Sequence, residues 1–123
     1  MVTKAELYLA ALQELVGSTP DILTSSIVSL DGLTMANTSK ENVNKDAFAA
    51  YGAAAYRRSD DTMFELSGEH ADMLVFVSKN HRIFSALVGK NALIIVLTGN
   101  SADIGAVISE LRKTAVKVEA LMK

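Results

Sequence analysis

Ile27-Val28-Ser29-Leu30-Asp31-Gly32-Leu33-Thr34-Met35-Ala36 is the stretch that decides the fold. Two apolar runs flank an Asp-Gly pair, and that dipeptide accepts the positive φ angles of a tight hairpin turn. The reading is two antiparallel neighbours, strands from Ile22 to Leu30 and from Leu33 to Ala36. Upstream, Ala5, Tyr8, Leu9, Leu12, Leu15 and Val16 recur at helical spacing, which predicts a helix from Lys4 to Val16. Thr3-Lys4-Ala5-Glu6 opens that helix as a capping box, and Gly17 and Pro20 close it.

Downstream, Asn37 to Asn42 is polar and reads as a loop, followed by a second helix from Val43 to Ser67. Phe48, Tyr51, Gly52, Ala55, Ser59, Thr62 and Leu66 fall on one side of it, and Ala47, Ala50 and Ala54 on another. Ala49 and Ala53 widen the small-residue surface. One face is expected to pack on the sheet, with the alanines open to a second helix or present only as good helix formers. His70 to Ser78, Ile83 to Val88 and Ala92 to Thr98 read as three strands. Their turns, Lys79-Asn80-His81 and Gly89-Lys90-Asn91, are short enough to make an antiparallel meander. Ile104, Val107, Ile108, Leu111, Ala115, Val118 and Leu121 stripe a last helix from Ser101 to Met122, with Asn100 as its cap and Asp103 in its first turn.

The chain of 123 residues is the length of one domain, residues 1–123, with no internal repeat or linker. Half of its residues are hydrophobic, which implies a well-covered sheet or apolar surface kept for a partner. Net charge is -2, and the only adjacent basic pairs are Arg57-Arg58 and Arg112-Lys113. Nucleic acid is therefore not the expected partner, since phosphate binding needs clustered positive charge. The longest apolar run, Ala92 to Leu97, is far shorter than the ~20 residues of a membrane span. Met1 to Glu6 lacks the basic and apolar regions of a secretory leader, and there is no cysteine, so a cytoplasmic location without membrane insertion is expected.

An open sheet has two edges, and an apolar edge strand invites pairing with another chain. His70 to Ser78 starts the meander, carries no proline and is wholly apolar at its centre, Met73-Leu74-Val75-Phe76-Val77. Joining this strand to its own copy about a two-fold axis removes the exposed edge with one self-complementary surface. The expected homodimer interface comprises Ala49, Gly52, Ala53 and Tyr56 on the second helix with Met73, Val75 and Val77 on the strand.

The hairpin quoted above, the alanine-rich helix at Ala47 to Ala55 and the Ile104-Gly105 start of the last helix together resemble the roadblock/dynein light chain family. The resemblance spans nearly the whole chain. It implies an α+β, profilin-like sandwich: a five-stranded antiparallel sheet in order 2-1-5-4-3, the second helix on one face and the terminal helices on the other. It also implies homodimers that join their third strands and set their second helices side by side. Family members have no catalytic residues of their own and serve as platforms for small Ras-like GTPases, as GTPase regulators, or as light chains on motors and scaffolds. Some bacterial GTPase-activating members continue past the last helix, whereas this sequence stops at Lys123. Binding is thus the expectation ahead of activation.

The residues offer no catalytic constellation. His70 and His81 stand in no Ser/His/Asp arrangement or i, i+4 metal pair, and Gly89-Lys90-Asn91 lacks the remainder of a phosphate loop. Asp60 and Asp61 are adjacent on a helix and point apart, as a solvated charge pair does. No enzyme activity, cofactor or metal is expected. Arg57 and Arg58, with Tyr51 and Tyr56 as aromatic anchors, are the candidates for contacting a GTPase partner. The rival readings are a light-chain-like scaffold subunit without a GTPase, and a small-ligand sensor, for which no convergent polar set is evident.

Overall fold

The computed structural model describes residues 1–39 and 43–123. Its elements are α1 (Lys4–Ser18), β1 (Ile22–Ser29), β2 (Thr34–Ser39), α2 (Lys45–Ser67), β3 (Met73–Val77), β4 (Arg82–Val88), β5 (Ala92–Thr98) and α3 (Ile104–Met122). The strands form one antiparallel sheet in the order β2-β1-β5-β4-β3. β5 returns to lie between β1 and β4, which explains its unbroken apolar run: Leu93, Ile94, Ile95 and Val96 are all fully buried, alternating between two cores. On one face Leu12 and Leu15 of α1 and Val107 and Leu111 of α3 meet Ile27, Phe84, Ile94 and Val96. On the other, Ala49, Ala53 and Tyr56 of α2 meet Val28, Leu93 and Ile95.

The Asp-Gly turn forms as the sequence predicts. Gly32 takes φ +90°, and its N–H donates to the Ser29 carbonyl at 2.9 Å. A Cβ at Gly32 would lie 3.1 Å from the Ala50 Cα, so glycine here serves both the turn and the close approach of α2.

Most element ends fall within one or two residues of the sequence reading, α1 running on past Gly17 to Ser18, and four of the differences trace to particular contacts. β2 continues through Asn37, Thr38 and Ser39, the first half of the expected loop; the remainder, residues 40–42, lies outside the described residues. Its partners are the buried Thr24, Ser25 and Ser26 of β1. Thr24 Oγ1 donates to the Thr38 carbonyl at 2.8 Å, and the Asn37 amide donates to Ser26 Oγ at 2.7 Å. Hydroxyls and amides satisfy one another across the ladder, so a polar pair of strands survives burial. α2 begins at Lys45 and not at Val43, because the Asn44 side chain accepts from the N–H groups of Asp46 and Ala47. β3 is shorter than His70 to Ser78, since the segment before Met73 is tied down to α2.

α3 begins at Ile104, capped by Asp103, whose carboxylate accepts from Ala106 N–H at 2.9 Å. Asn100 is not the cap; it donates to the Lys79 carbonyl. The intervening loop is held by Asp21, the only positive-φ residue other than glycine among those described, at φ +73°. Its carboxylate accepts from Ser101 N–H at 3.0 Å, and its carbonyl accepts from Gly99 N–H at 3.2 Å. Hydrogen bonds from Ser101, followed by those from Ala102 and Gly99, hold the Asp21 carboxyl below its ordinary value, outweighing its slight desolvation. A carboxyl depressed on folding stabilises the protein above its unfolded pKa and loses that contribution as pH falls through the folded one. Asp21→Ala is expected to cost roughly 1–2 kcal/mol in urea melts near neutral pH, through the left-handed backbone and the lost contacts. Asp21→Asn keeps the backbone preference and is expected to flatten the acid limb of the stability–pH curve.

Candidate protein-interaction surface

β3 pairs with β4 alone among the described residues. Leu87 N–H donates to the Asp72 carbonyl at 3.0 Å, and the ladder continues as Met73 opposite Ala86 and Val75 opposite Phe84. Hydrogen-bonded and non-bonded pairs alternate in an antiparallel ladder, so residues 72, 74 and 76 bond to β4. Met73, Val75 and Val77 therefore aim their backbone N–H and C=O groups away from the sheet, at an open edge. The side chains of Met73 and Val75 pack partly into the α1–α3 core, whereas Val77 is 63% exposed.

α2 lies beside this edge and runs opposite to β3. Ala55, Arg58 and Ser59 line one hollow with Leu74, Val75 and Phe76. Nearer the start of the helix, Phe48, Tyr51 and Gly52 line a second, of about 190 Å³, with Phe76 and Ile83. Tyr51 is 77% exposed at its rim. The apolar surface thus runs without a break from the open strand onto one flank of the helix.

The helix sits on the sheet by its smallest residues. Ala49 and Ala53 are fully buried and Tyr56 nearly so, all against their own chain. A Cβ on Gly52 would fall 2.3 Å from Ile95 Cδ1. Ala49, Ala53 and Tyr56 are expected at the dimer interface, and the structure corrects that: their contacts are with their own chain. Gly52 seats on Ile95 and also opens onto the hollow beneath Tyr51. Only small side chains let a helix backbone come so close, and the flank left over, at Tyr51, Ala54, Ala55 and Arg58, is the one a partner can reach. The two arginines are likewise separated. The Arg57 guanidinium, on the opposite flank, donates to the Leu30 carbonyl of the first hairpin, while Arg58 stands exposed on the β3 side.

A clamp that sequence reasoning missed fixes where β3 begins. Tyr56 Oη donates to the Ala71 carbonyl, and Asp60 Oδ1 accepts from Ala71 N–H at 2.7 Å. Burial, then Asp60 and Asp72, push the Tyr56 phenol up to about 12, so it remains a donor at ordinary pH. His70 Nδ1 lies 3.1 Å from Asp60, and its ring stacks on Phe64 at 4.7 Å between centroids. His81 is exposed in the β3–β4 turn, where its N–H donates to Ser78 Oγ. A tyrosine and an aspartate one helical turn apart, facing the only buried residue of the following loop, are the signal that could have been read.

Among the described residues no group of three or more His, Cys, Asp or Glu side chains is placed to hold a metal ion. No described helix is long and apolar enough to cross a membrane.

A model of the Roadblock/LC7 domain matches residues 8–98. In structure, the chain superposes on a Roadblock/LC7 domain from Streptomyces avermitilis with a TM-score of 0.86 at 20% identity, covering 94% of this chain and 98% of that one. The gliding protein MglB from Thermus thermophilus gives 0.88 at 15% identity, covering 98% and 92%. Profilin II from Acanthamoeba castellanii gives 0.64 at 16% identity, covering 94% and 99%, which places the sheet and helices in the wider profilin-like architecture. No curated protein matches the sequence.

Proposed function

The chain belongs to the Roadblock/LC7 family, and from that premise we propose that it is a cytoplasmic, non-catalytic homodimer that binds a small Ras-like GTPase and takes part in regulating it. The observation that carries this reading is the unpaired apolar edge of β3, continuous with the exposed flank of α2. Outward N–H and C=O groups at Met73, Val75 and Val77 suit an antiparallel copy, with Val75 opposite Val75 and Met73 opposite Val77. Each strand then ends its exposure in the other, and the two sheets become one. Arg58 and the outer faces of the two α2 helices stand on the joined surface, where an arginine beside exposed aromatic rings is the composition of a protein-contact hot spot.

Two measurements test the reading. Light scattering is expected to give a particle of about twice 13.1 kDa. The purified dimer is expected to retain small Ras-like GTPases from the same cell in a pull-down, to an extent that differs between GDP and a non-hydrolysable GTP analogue. Arg58→Glu is expected to lower that capture at least tenfold with the dimer mass unchanged, in keeping with the larger single-residue effects at interfaces. A dimer that retains no GTPase in either nucleotide state overturns the GTPase reading and favours a light-chain-like scaffold role.

A further inference from the structure

α2 is longer than the sheet it covers. Its residues 55, 58 and 59 lie beside Leu74 to Phe76, and Asp60 reaches Ala71, just before the strand starts. The remaining turns, residues 61–67, project past the end of the sheet and are exposed throughout. They carry Leu66, 82% exposed, in addition to Phe64, which the His70 ring covers on one side. A bare leucine on a projecting helix end asks for a surface to cover it.

Within one chain the apolar hollow under Tyr51 lies toward the other end of the same helix, about 22 Å away at 1.5 Å per residue. Residues Tyr51, Ala55, Ser59, Thr62 and Leu66 share the flank of α2 that faces β3, at i+3 and i+4 steps. The midpoint of that series falls between Arg58 and Ser59. Those two residues, together with Ala55 one turn earlier, are set against Leu74, Val75 and Phe76, the midpoint of β3. One two-fold axis therefore centres both the strand edge and the helix flank. About that axis Thr62 of one copy comes beside Ala55 of the other, and Leu66 beside Tyr51. Ser59 is half-buried and turned toward the strand, whereas Arg58 is exposed on the outer rim, so the two Arg58 charges near the axis stay in water.

We propose that the projecting end of α2 from each copy seats Leu66 in the hollow lined by Phe48, Tyr51, Gly52, Phe76 and Ile83 of the other copy. The hollow, about 190 Å³ and almost wholly apolar, is of the order of a cavity that takes up one small apolar molecule. The occupant is a second copy of this chain, and the contact occurs twice per dimer. This rests on the homodimer reading and adds the helix register, a pair of reciprocal anchors at the two ends of the seam, and a function for the helix overhang.

The chain has no cysteine, which makes a clean test available. In a Tyr51→Cys, Leu66→Cys double variant the two thiols of one chain are about 22 Å apart along the helix, beyond the Cα separation of up to ~6.8 Å that a disulfide spans. Any 51–66 disulfide is therefore between copies. Mild oxidation is expected to convert most of the double variant to a covalent dimer, with the 51–66 linkage found by mass spectrometry of tryptic peptides, while each single variant stays largely uncrosslinked. A dimer by light scattering that yields no 51–66 linkage overturns the register and leaves the homodimer standing. A monomer by light scattering overturns both. Because Leu66 is exposed in the single chain, Leu66→Asp supplies an independent reading: its circular dichroism is expected to match the parent, with dimer affinity at least tenfold weaker. An unchanged affinity sinks the proposal.

Discussion

Val75→Pro is expected to yield a folded particle of 13.1 kDa in light scattering where the parent gives about twice that mass. The N–H lost is the one that points to the open side of β3, so the ladder to β4 keeps all its bonds, and edge strands tolerate proline in that orientation. In the joined sheet the same change removes one donor from each copy and orphans the carbonyl opposite. Each buried unsatisfied carbonyl costs about 1–3 kcal/mol, and there are two at the seam, which weakens the dimer by roughly 30-fold at the least. The two rings also meet at the axis. Urea melts that show the variant folded, together with an unchanged dimer mass, would falsify pairing through this strand.

Phe84→Ala carries the largest expected loss of stability. Phe84 is fully buried beneath α1 and α3, in contact with the core that Leu12, Leu15 and Leu111 complete. Truncating a buried phenylalanine typically costs about 3–5 kcal/mol, a large share of the ~5–15 kcal/mol that holds such a domain together. The urea midpoint is expected to fall accordingly. The effect reaches the edge as well. Phe84 stands directly opposite Val75 in a pair that shares no backbone hydrogen bonds, where facing side chains come closest. Removing the ring leaves Val75 without its support, and the dissociation constant of the dimer is expected to rise along with the fall in the midpoint. Melts at several protein concentrations separate the two contributions, because only the second depends on concentration. A midpoint within a few tenths molar of the parent would contradict the packing described.

The architecture was legible wherever hydropathy carries the signal. The Asp-Gly hairpin, the helical stripes of α1 and α3 and the apolar strands of the meander need only periodicity, and β3 could be named as an edge because a meander has to start somewhere. Polar burial escaped that reading. Asn37, Thr38 and Ser39 look like a loop until Thr24, Ser25 and Ser26 are set beside them, because the satisfaction lies in the pairing and not in either strand. The same holds for the start of α3, where Asn100 and Asp103 are both good caps and the choice is made by Asp21, some 80 residues earlier in the chain. On α2 the sequence marked small residues and tyrosines but not which way they face. Alanines can admit a sheet or a second helix equally well, and only the seat of Gly52 on Ile95 decides that they admit the sheet.

The two edges of the sheet are chemically unlike. At β2, the Asn37 amide is spent on Ser26 and the Ser25 carbonyl, Thr38 and Ser39 hydroxyls are engaged with β1, and α1 lies alongside. Among the described residues only β3 presents an apolar strand for addition. In the language of polymer chemistry the described residues make a monofunctional unit: they offer one reactive end, and the proposed coupling would consume it. Such units stop at the pair, and a substitution that made β2 apolar and accepting would turn a chain terminator into a monomer for fibres.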